Sequence, residues 1–127
     1  MKLSQIKNIA VVGAGIMGHG IAQTFALGGY DVILNDISDE LLNKSIQQIR
    51  SNLSTFVEFG ITTSGGAKEA LSRIKPSKHL KEAAVDSDVV VEALPEVMDL
   101  KKRILKALDA TCPSHTMLAS NSSGLSL

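Results

Sequence analysis

The sequence predicts an α/β protein whose parallel sheet is covered by helices on both faces. Three observations carry this reading. Short apolar runs of strand length recur at Ile9 to Val12, Tyr30 to Leu34, Asp88 to Glu92 and Thr116 to Ser120. Longer stretches between them carry apolar residues at helical spacing, so strand and helix alternate. The first run leads directly into Gly13, Gly15 and Gly18, a G-x-G-x-x-G, with a helical pattern starting at once.

Each element follows from its residues. Ile9 to Val12 is β-branched and short enough for a buried strand. In the turn after it, Gly13 permits the tight exit from the strand. Gly15 removes the Cβ that would keep the backbone from a pyrophosphate, and Gly18 lets the helix pack closely on the sheet. A diphosphate over that helix N-terminus meets free N–H groups and the positive end of the dipole. Ala14, Ile16 and Met17 complete the loop. The first helix is expected over Ile16 to Leu27, with Ile16, Gly20, Phe25 and Ala26 as sheet-facing candidates and Gly28-Gly29 as its stop. The second strand ends near Asp36, 18 residues beyond Gly18 and close to the interval at which such folds place an acidic ribose ligand. A carboxylate there accepts the 2′- and 3′-hydroxyls and repels the 2′-phosphate of NADP, so NAD is the expected cofactor; capping of the next helix is the alternative role.

Ser38 to Glu58 reads as a long helix with Ser38 as N-cap and Leu41, Leu42, Ile46, Ile49, Leu53 and Val57 on its apolar stripe. Gly60 and residues 62–66 break it, and a shorter helix follows from about Ala67 to Ser72. This helical pair, at about 38–72, exceeds what a simple crossover needs. Arg73 to Lys75 is a brief strand before Pro76, and His79 lies in a polar surface stretch. Val89, Val90 and Val91 mark a strand buried on both faces. Pro95 suits the first position of a helix running to about Ala110, with Leu100, Ile104, Leu105 and Leu108 inward. After the last strand, Asn121 to Gly124 forms a turn. In a parallel sheet ligands lie beyond the carboxyl ends of the strands. Gly13 to Gly18, Asp36, Leu94 to Glu96 and Ser120 to Ser123 converge on that edge.

Composition sets the outer bounds. The 127 residues suit one domain, and Lys+Arg and Asp+Glu balance at 13 each, so nothing points to a nucleic-acid partner. Cys112 is the sole cysteine, which excludes an internal disulfide and suits a reducing, cytoplasmic compartment. No apolar run approaches a membrane span, so no membrane partner is expected. With no Trp and 3% aromatic residues, the core must be built from Ile, Leu, Val and Ala.

With these residues in place, the chain resembles the NAD-binding domain of the L-3-hydroxyacyl-CoA dehydrogenases, a Rossmann-type doubly wound sheet. The matching stretches are V-G-A-G-I-M-G-H-G-I-A-Q (12–23), G-Y-D-V-I-L-N-D (29–36), V-V-V-E-A-L-P-E (89–96) and A-S-N-S-S-G-L-S (119–126). The resemblance implies hydride transfer between a 3-hydroxyacyl-CoA and NAD. It implies that Gly13, Ala14, Gly15, Ile16, Met17 and Gly18 hold the pyrophosphate and Asp36 the ribose. Glu96 and Lys101 match positions lining the NAD site, although a charged helix start would also account for them. Ser123 matches a serine near nicotinamide and substrate, with Asn121 beside it to orient it; an N-cap of a following helix is the alternative for Ser123. Asn52 is the polar candidate for substrate contact on the long helix. The family's catalytic base is a histidine in His-Phe-Phe-Asn-Pro, followed by an orienting glutamate; that motif is not among these 127 residues. Residues 1–127 therefore read as a domain truncated before the family's last Rossmann elements and its helical C-terminal domain. An acyl-CoA partner and a homodimer through that further domain are expected of a full-length protein. His19, in the first turn of a helix, reads as a packing or phosphate-edge residue, and Cys112 and His115 as structural ones. Two other readings stay open: a dehydrogenase of a non-CoA hydroxyacid or sugar acid, and a non-catalytic dinucleotide-binding module.

Overall fold

A computed structural model describes residues 5–95 and 97–120. Glu96, Asn121 and Ser123 lie outside the described residues. The chain alternates β1 (Asn8–Val12), α1 (Ile16–Leu27), β2 (Asp31–Asn35), α2 (Asp39–Glu58), α3 (Ser64–Ser72), β3 (Ile74–Ser77), α4 (Leu80–Ala84), β4 (Val89–Glu92), α5 (Met98–Thr111) and β5 (Met117–Ser120). All strand pairs are parallel, in the order β3-β2-β1-β4-β5. The order reverses at β1, so the crevice between the carboxyl ends of β1 and β4 is the topological switch point.

The alternation of side chains along the strands divides the core into two layers. Ile9, Val11, Val32, Leu34, Val89 and Val91 face α1, α2 and α3, packing on Ala22, Ala26, Leu42, Ile49 and Leu53. Ala10, Val12 and Val90 face the other way, onto Ala83, Ala84 and Leu108. Burial on both faces is what makes Ile9 to Val12 and Val89 to Val91 read as continuous apolar runs.

Several elements differ from expectation. On α1 the buried residues are Gly18, Ala22, Gln23 and Ala26, while Ile16 is 85% exposed. The approach of Gly18 to the glycine turn sets the helix rotation, and the spacing of 18, 22 and 26 follows from it. Helix α3 starts at Ser64 rather than Ala67, because the Thr63 hydroxyl accepts the Gly66 N–H and caps it. Strand β3 runs through Pro76, which an edge strand tolerates. Helix α4, unforeseen, has five residues and no side-chain cap. So short a helix leaves part of the sheet uncovered, and a cavity of about 510 Å³ opens at the amino edge beside Asn8, Asp31 and Ala83. Pro95 is not the first residue of α5, which begins at Met98 after Val97. The Leu94 N–H is taken by the Glu92 carboxylate and the Val97 N–H by the Pro95 carbonyl, so neither donor enters a helical ladder.

Asp88 ties the amino edge together. Its Oδ2 accepts the N–H groups of Lys7 and Asn8 at 2.9 and 3.0 Å, its Oδ1 lies 3.1 Å from His115 Nε2, and its own N–H reaches the Asn8 carbonyl. Those backbone donors, Asn8 first and then Lys7, hold its carboxyl below the ordinary 3.8. A carboxyl depressed by folding stabilises the fold above its unfolded value and loses that contribution as pH falls through the folded value. The stability difference between the natural chain and Asp88→Asn, measured by urea unfolding, is therefore present at pH 6 and closes as pH falls through and below 3.8. A difference independent of pH would contradict this account.

Candidate functional site

The site grows from the carboxyl end of β1. The Gly13 N–H donates to the Asn35 carbonyl at 2.8 Å, and the Ala93 N–H donates to the Val12 carbonyl at 2.8 Å. The turn thus begins wedged between the ends of β2 and β4. Gly13 has φ +107°, and a Cβ there would stand 2.7 Å from the Ala93 carbonyl oxygen. Both backbone conformation and space therefore demand glycine. A Cβ on Gly18 would stand 1.7 Å from the Gly13 carbonyl oxygen, so the first turn of α1 sits directly against the loop.

Gly15 is different. A Cβ there meets nothing within 4 Å, and the residue is exposed at the N-cap of α1 in extended backbone. No side chain caps this helix start, and its first turn contains no acidic residue. The leading N–H groups of a helix have no intrahelical acceptor. Here they face solvent beside a missing Cβ, with the positive end of the dipole behind them, an arrangement that accepts an anion. Ile16 and Met17, 85% and 58% exposed, flank the opening. His19 turns its Nδ1 to the Gly15 carbonyl at 3.1 Å, which places the imidazole against its own helix.

Two neighbours brace the loop. Asp36, half-buried past the end of β2, accepts the Ala14 N–H on Oδ2 and the Ser38 N–H on Oδ1, both at 3.0 Å. Each carboxylate oxygen keeps a further lone pair for a hydroxyl. Capping of α2 falls to Ser38, whose hydroxyl accepts the Leu41 N–H at 3.2 Å. Ser45, buried on α2, donates its hydroxyl to the Ala14 carbonyl. Sequence reasoning missed Ser45, because its place on the apolar stripe of α2 looks like an interruption.

On the other side of β1, Glu92 ends β4 fully buried, and Lys101 in α5 is buried beside it at 3.4 Å. Ser120 at the end of β5 donates its hydroxyl to Glu92 at 2.8 Å. Glu92 carried no role in the sequence beyond closing a strand; an acidic residue after three valines in a doubly buried run was the available signal. Asn52 lies between α1 and α2, its amide donating to Gln23 and accepting from Gln48, both at 2.9 Å. Asp36 and the glycine loop are thus in direct contact, Lys101 stands on the opposite flank of the switch point, and Asn52 belongs to a separate polar chain. Cys112 packs against the α4–α5 layer, and burial pushes its thiol up. Among the described residues no cluster of His, Cys, Asp or Glu suits a metal, and no helix is long and apolar enough to cross a membrane.

Residues 8–127 match the family described as 3-hydroxyacyl-CoA dehydrogenase, NAD binding domain. A probable 3-hydroxybutyryl-CoA dehydrogenase of Bacillus subtilis is 41% identical over 121 residues, covering 95% of this chain and 42% of the relative. A glyoxysomal fatty acid beta-oxidation multifunctional protein of Cucumis sativus is 38% identical over 123 residues, covering 97% of this chain and 17% of the relative. The crystal structure of (S)-3-hydroxybutyryl-CoA dehydrogenase from Ralstonia eutropha superposes with a TM-score of 0.91 at 37% identity, over 96% of this chain and 43% of that one. The chain spans less than half the length of these relatives.

The glycines separate experimentally. Gly18→Ala forces a Cβ into the Gly13 carbonyl and is expected to destabilise the fold by on the order of 3 kcal/mol, seen as a lower urea midpoint. Gly15→Ala meets open space and is expected to change stability by less than about 0.5 kcal/mol while weakening NAD at least about tenfold in calorimetric titration. Equal effects of the two substitutions on stability would refute the close-approach argument.

Proposed function

This chain belongs to the 3-hydroxyacyl-CoA dehydrogenase NAD-binding domain family, and from that premise we propose that it forms the cofactor half of an enzyme interconverting a 3-hydroxyacyl-CoA and its 3-keto form. The observation that carries the cofactor assignment is the joint of Asp36 and the glycine loop: one carboxylate binds the Ala14 N–H directly beside an uncapped helix start. Gly15, Ile16, Met17 and Gly18 would present their leading backbone N–H groups to the pyrophosphate, while Gly13 and Ala14, whose N–H groups are taken by Asn35 and Asp36, would shape the loop around it. Asp36 would take the adenosine ribose hydroxyls on the lone pairs its two backbone contacts leave, and its charge would disfavour a 2′-phosphate. Bound NAD supplies the acceptor for hydride.

On the β4–β5 flank we assign Lys101 and Glu96 to the cofactor, and Ser123, oriented by Asn121, to the nicotinamide and substrate. Support for Lys101 is its burial at the carboxyl edge beside Glu92; the other three rest on the match of their motifs. A substrate contact from Asn52 requires its amide to exchange Gln23 or Gln48 for the ligand. The relatives named for 3-hydroxybutyryl-CoA support an acyl-CoA substrate over a non-CoA acid. We place the general base, a histidine oriented by a glutamate, and the surface for homodimer formation in a C-terminal domain of the full-length protein. A cytoplasmic location is the reading the single cysteine supports.

Calorimetric titration of the chain tests the cofactor assignment. NAD is expected to bind at least about tenfold more tightly than NADP, and Asp36→Ala to narrow that gap. Equal affinities in the natural chain would sink the Asp36 role. For the reaction, acetoacetyl-CoA is expected to be reduced by NADH with the full-length protein and not with residues 1–127 alone, since the group that acts as base in oxidation must donate the proton to the carbonyl oxygen in reduction, and such general acid–base help is worth roughly 10²–10⁴-fold. Turnover by the short chain would place a base within it, with His19 the first suspect.

A further inference from the structure

A buried charge cluster lies at the carboxyl edge, on the side of β1 away from Asp36. Glu92 is 2% exposed and Lys101 3%. Glu92 Oε2 accepts the Leu94 N–H at 2.6 Å; Oε1 accepts the Ser120 hydroxyl at 2.8 Å and stands 3.4 Å from Lys101 Nζ. One carboxylate therefore joins three separate pieces of the edge: Leu94 just after β4, the end of β5 and the first turn of α5. A purely structural knot of this kind would satisfy both partners. Here only the carboxylate is satisfied. Among the described residues the ammonium forms an ion pair with Glu92 but makes no aligned hydrogen bond, although it carries three donors. An ammonium so deeply buried, with its donors unspent, implies an acceptor that arrives from outside.

The topology says which half of the dinucleotide that acceptor belongs to. The glycine loop at the end of β1 takes the pyrophosphate and Asp36, past β2, takes the adenosine. β4 and β5 lie across β1 from β2, so the nicotinamide half extends over them. We propose that Glu92 is a positioning residue for the nicotinamide half of NAD, holding Lys101 by its charge and Ser120 by its hydroxyl so that the ammonium donors remain free for that half. The proposal rests on the NAD reading above and extends it to a residue that does not itself touch the cofactor. Glutamine at 92 keeps the shape and an acceptor for Leu94 or Ser120 but removes the charge that holds Lys101.

Calorimetric titration of the 127-residue chain with NAD and with ADP, which lacks the nicotinamide half, is the test. Glu92→Gln is expected to weaken NAD about tenfold while leaving ADP within about twofold, and Glu92→Gln/Lys101→Met to bind NAD no more weakly than Lys101→Met alone. A residue that merely supports the fold would weaken both ligands together. Ser120→Ala, which releases one tether from the same oxygen, carries the test if Glu92→Gln fails to fold: it is expected to weaken NAD about threefold and to spare ADP. An unchanged ratio of NAD to ADP affinity in the folded variants, or additive losses in the double variant, would overturn the role of Glu92 while leaving the cofactor assignment standing. Binding of neither ligand by the natural chain would overturn the NAD reading and this inference with it.

Discussion

The contact on which the rest of this structure depends is that of α1 with the turn that precedes it. No side chain separates Gly18 from the Gly13 carbonyl, since a Cβ would lie 1.7 Å from the oxygen. That approach fixes the rotation of α1, which then buries Ala22 and Ala26 against the β1–β2 side of the sheet and leaves Ile16 and Met17 in solvent. It also leaves the uncapped N-terminus of the helix over the switch point. Packing of the loop and exposure of the helix start are one constraint. Gly13 and Gly18 serve the fold, while Gly15 leaves room that the protein itself does not use.

Around the sheet, three carboxylates do similar physical work. Asp88 binds the N–H groups of Lys7 and Asn8 at the amino edge; Asp36 binds Ala14 and Ser38, and Glu92 binds Leu94, at the carboxyl edge. Where a strand ends, its backbone donors lose their ladder partners, and a charged acceptor satisfies them more strongly than a neutral one. The three differ in what remains available. Asp88 spends its remaining oxygen on His115, Asp36 is half-buried at the open crevice, and Glu92 is sealed in beside an ammonium. Unspent polar capacity among these three carboxylate sites is therefore found at the carboxyl edge.

Much of this was legible in the residues. The four short apolar runs, the glycine spacing and the distance to Asp36 reflect local geometry and strand burial, which leave direct marks on sequence. Ser38 was legible as the cap of α2 for the same reason. Other features left weak marks. Helix α4 has five residues and no cap signal. Pro95 matched a helix start by type, yet the Leu94 N–H is bound to Glu92 and the helix begins only at Met98. Ser45 interrupts the apolar stripe of α2 and Lys101 is a charged residue near a helix start; the partners that satisfy them are the Ala14 carbonyl, 31 residues away, and the carboxylate that ends β4.

By itself the sequence determined the class of the fold, the place of the glycine loop and the family, because each rests on short-range patterns: period, glycine spacing and runs of apolar residues. Only the tertiary structure decided which face of α1 is buried, that Asp36 braces the loop it was expected to serve, and that Glu92 joins β4, β5 and α5. Those outcomes depend on groups brought together across the sheet. Which partner a buried charge finds is set by that assembly, and the residue's own neighbours in the chain do not encode it.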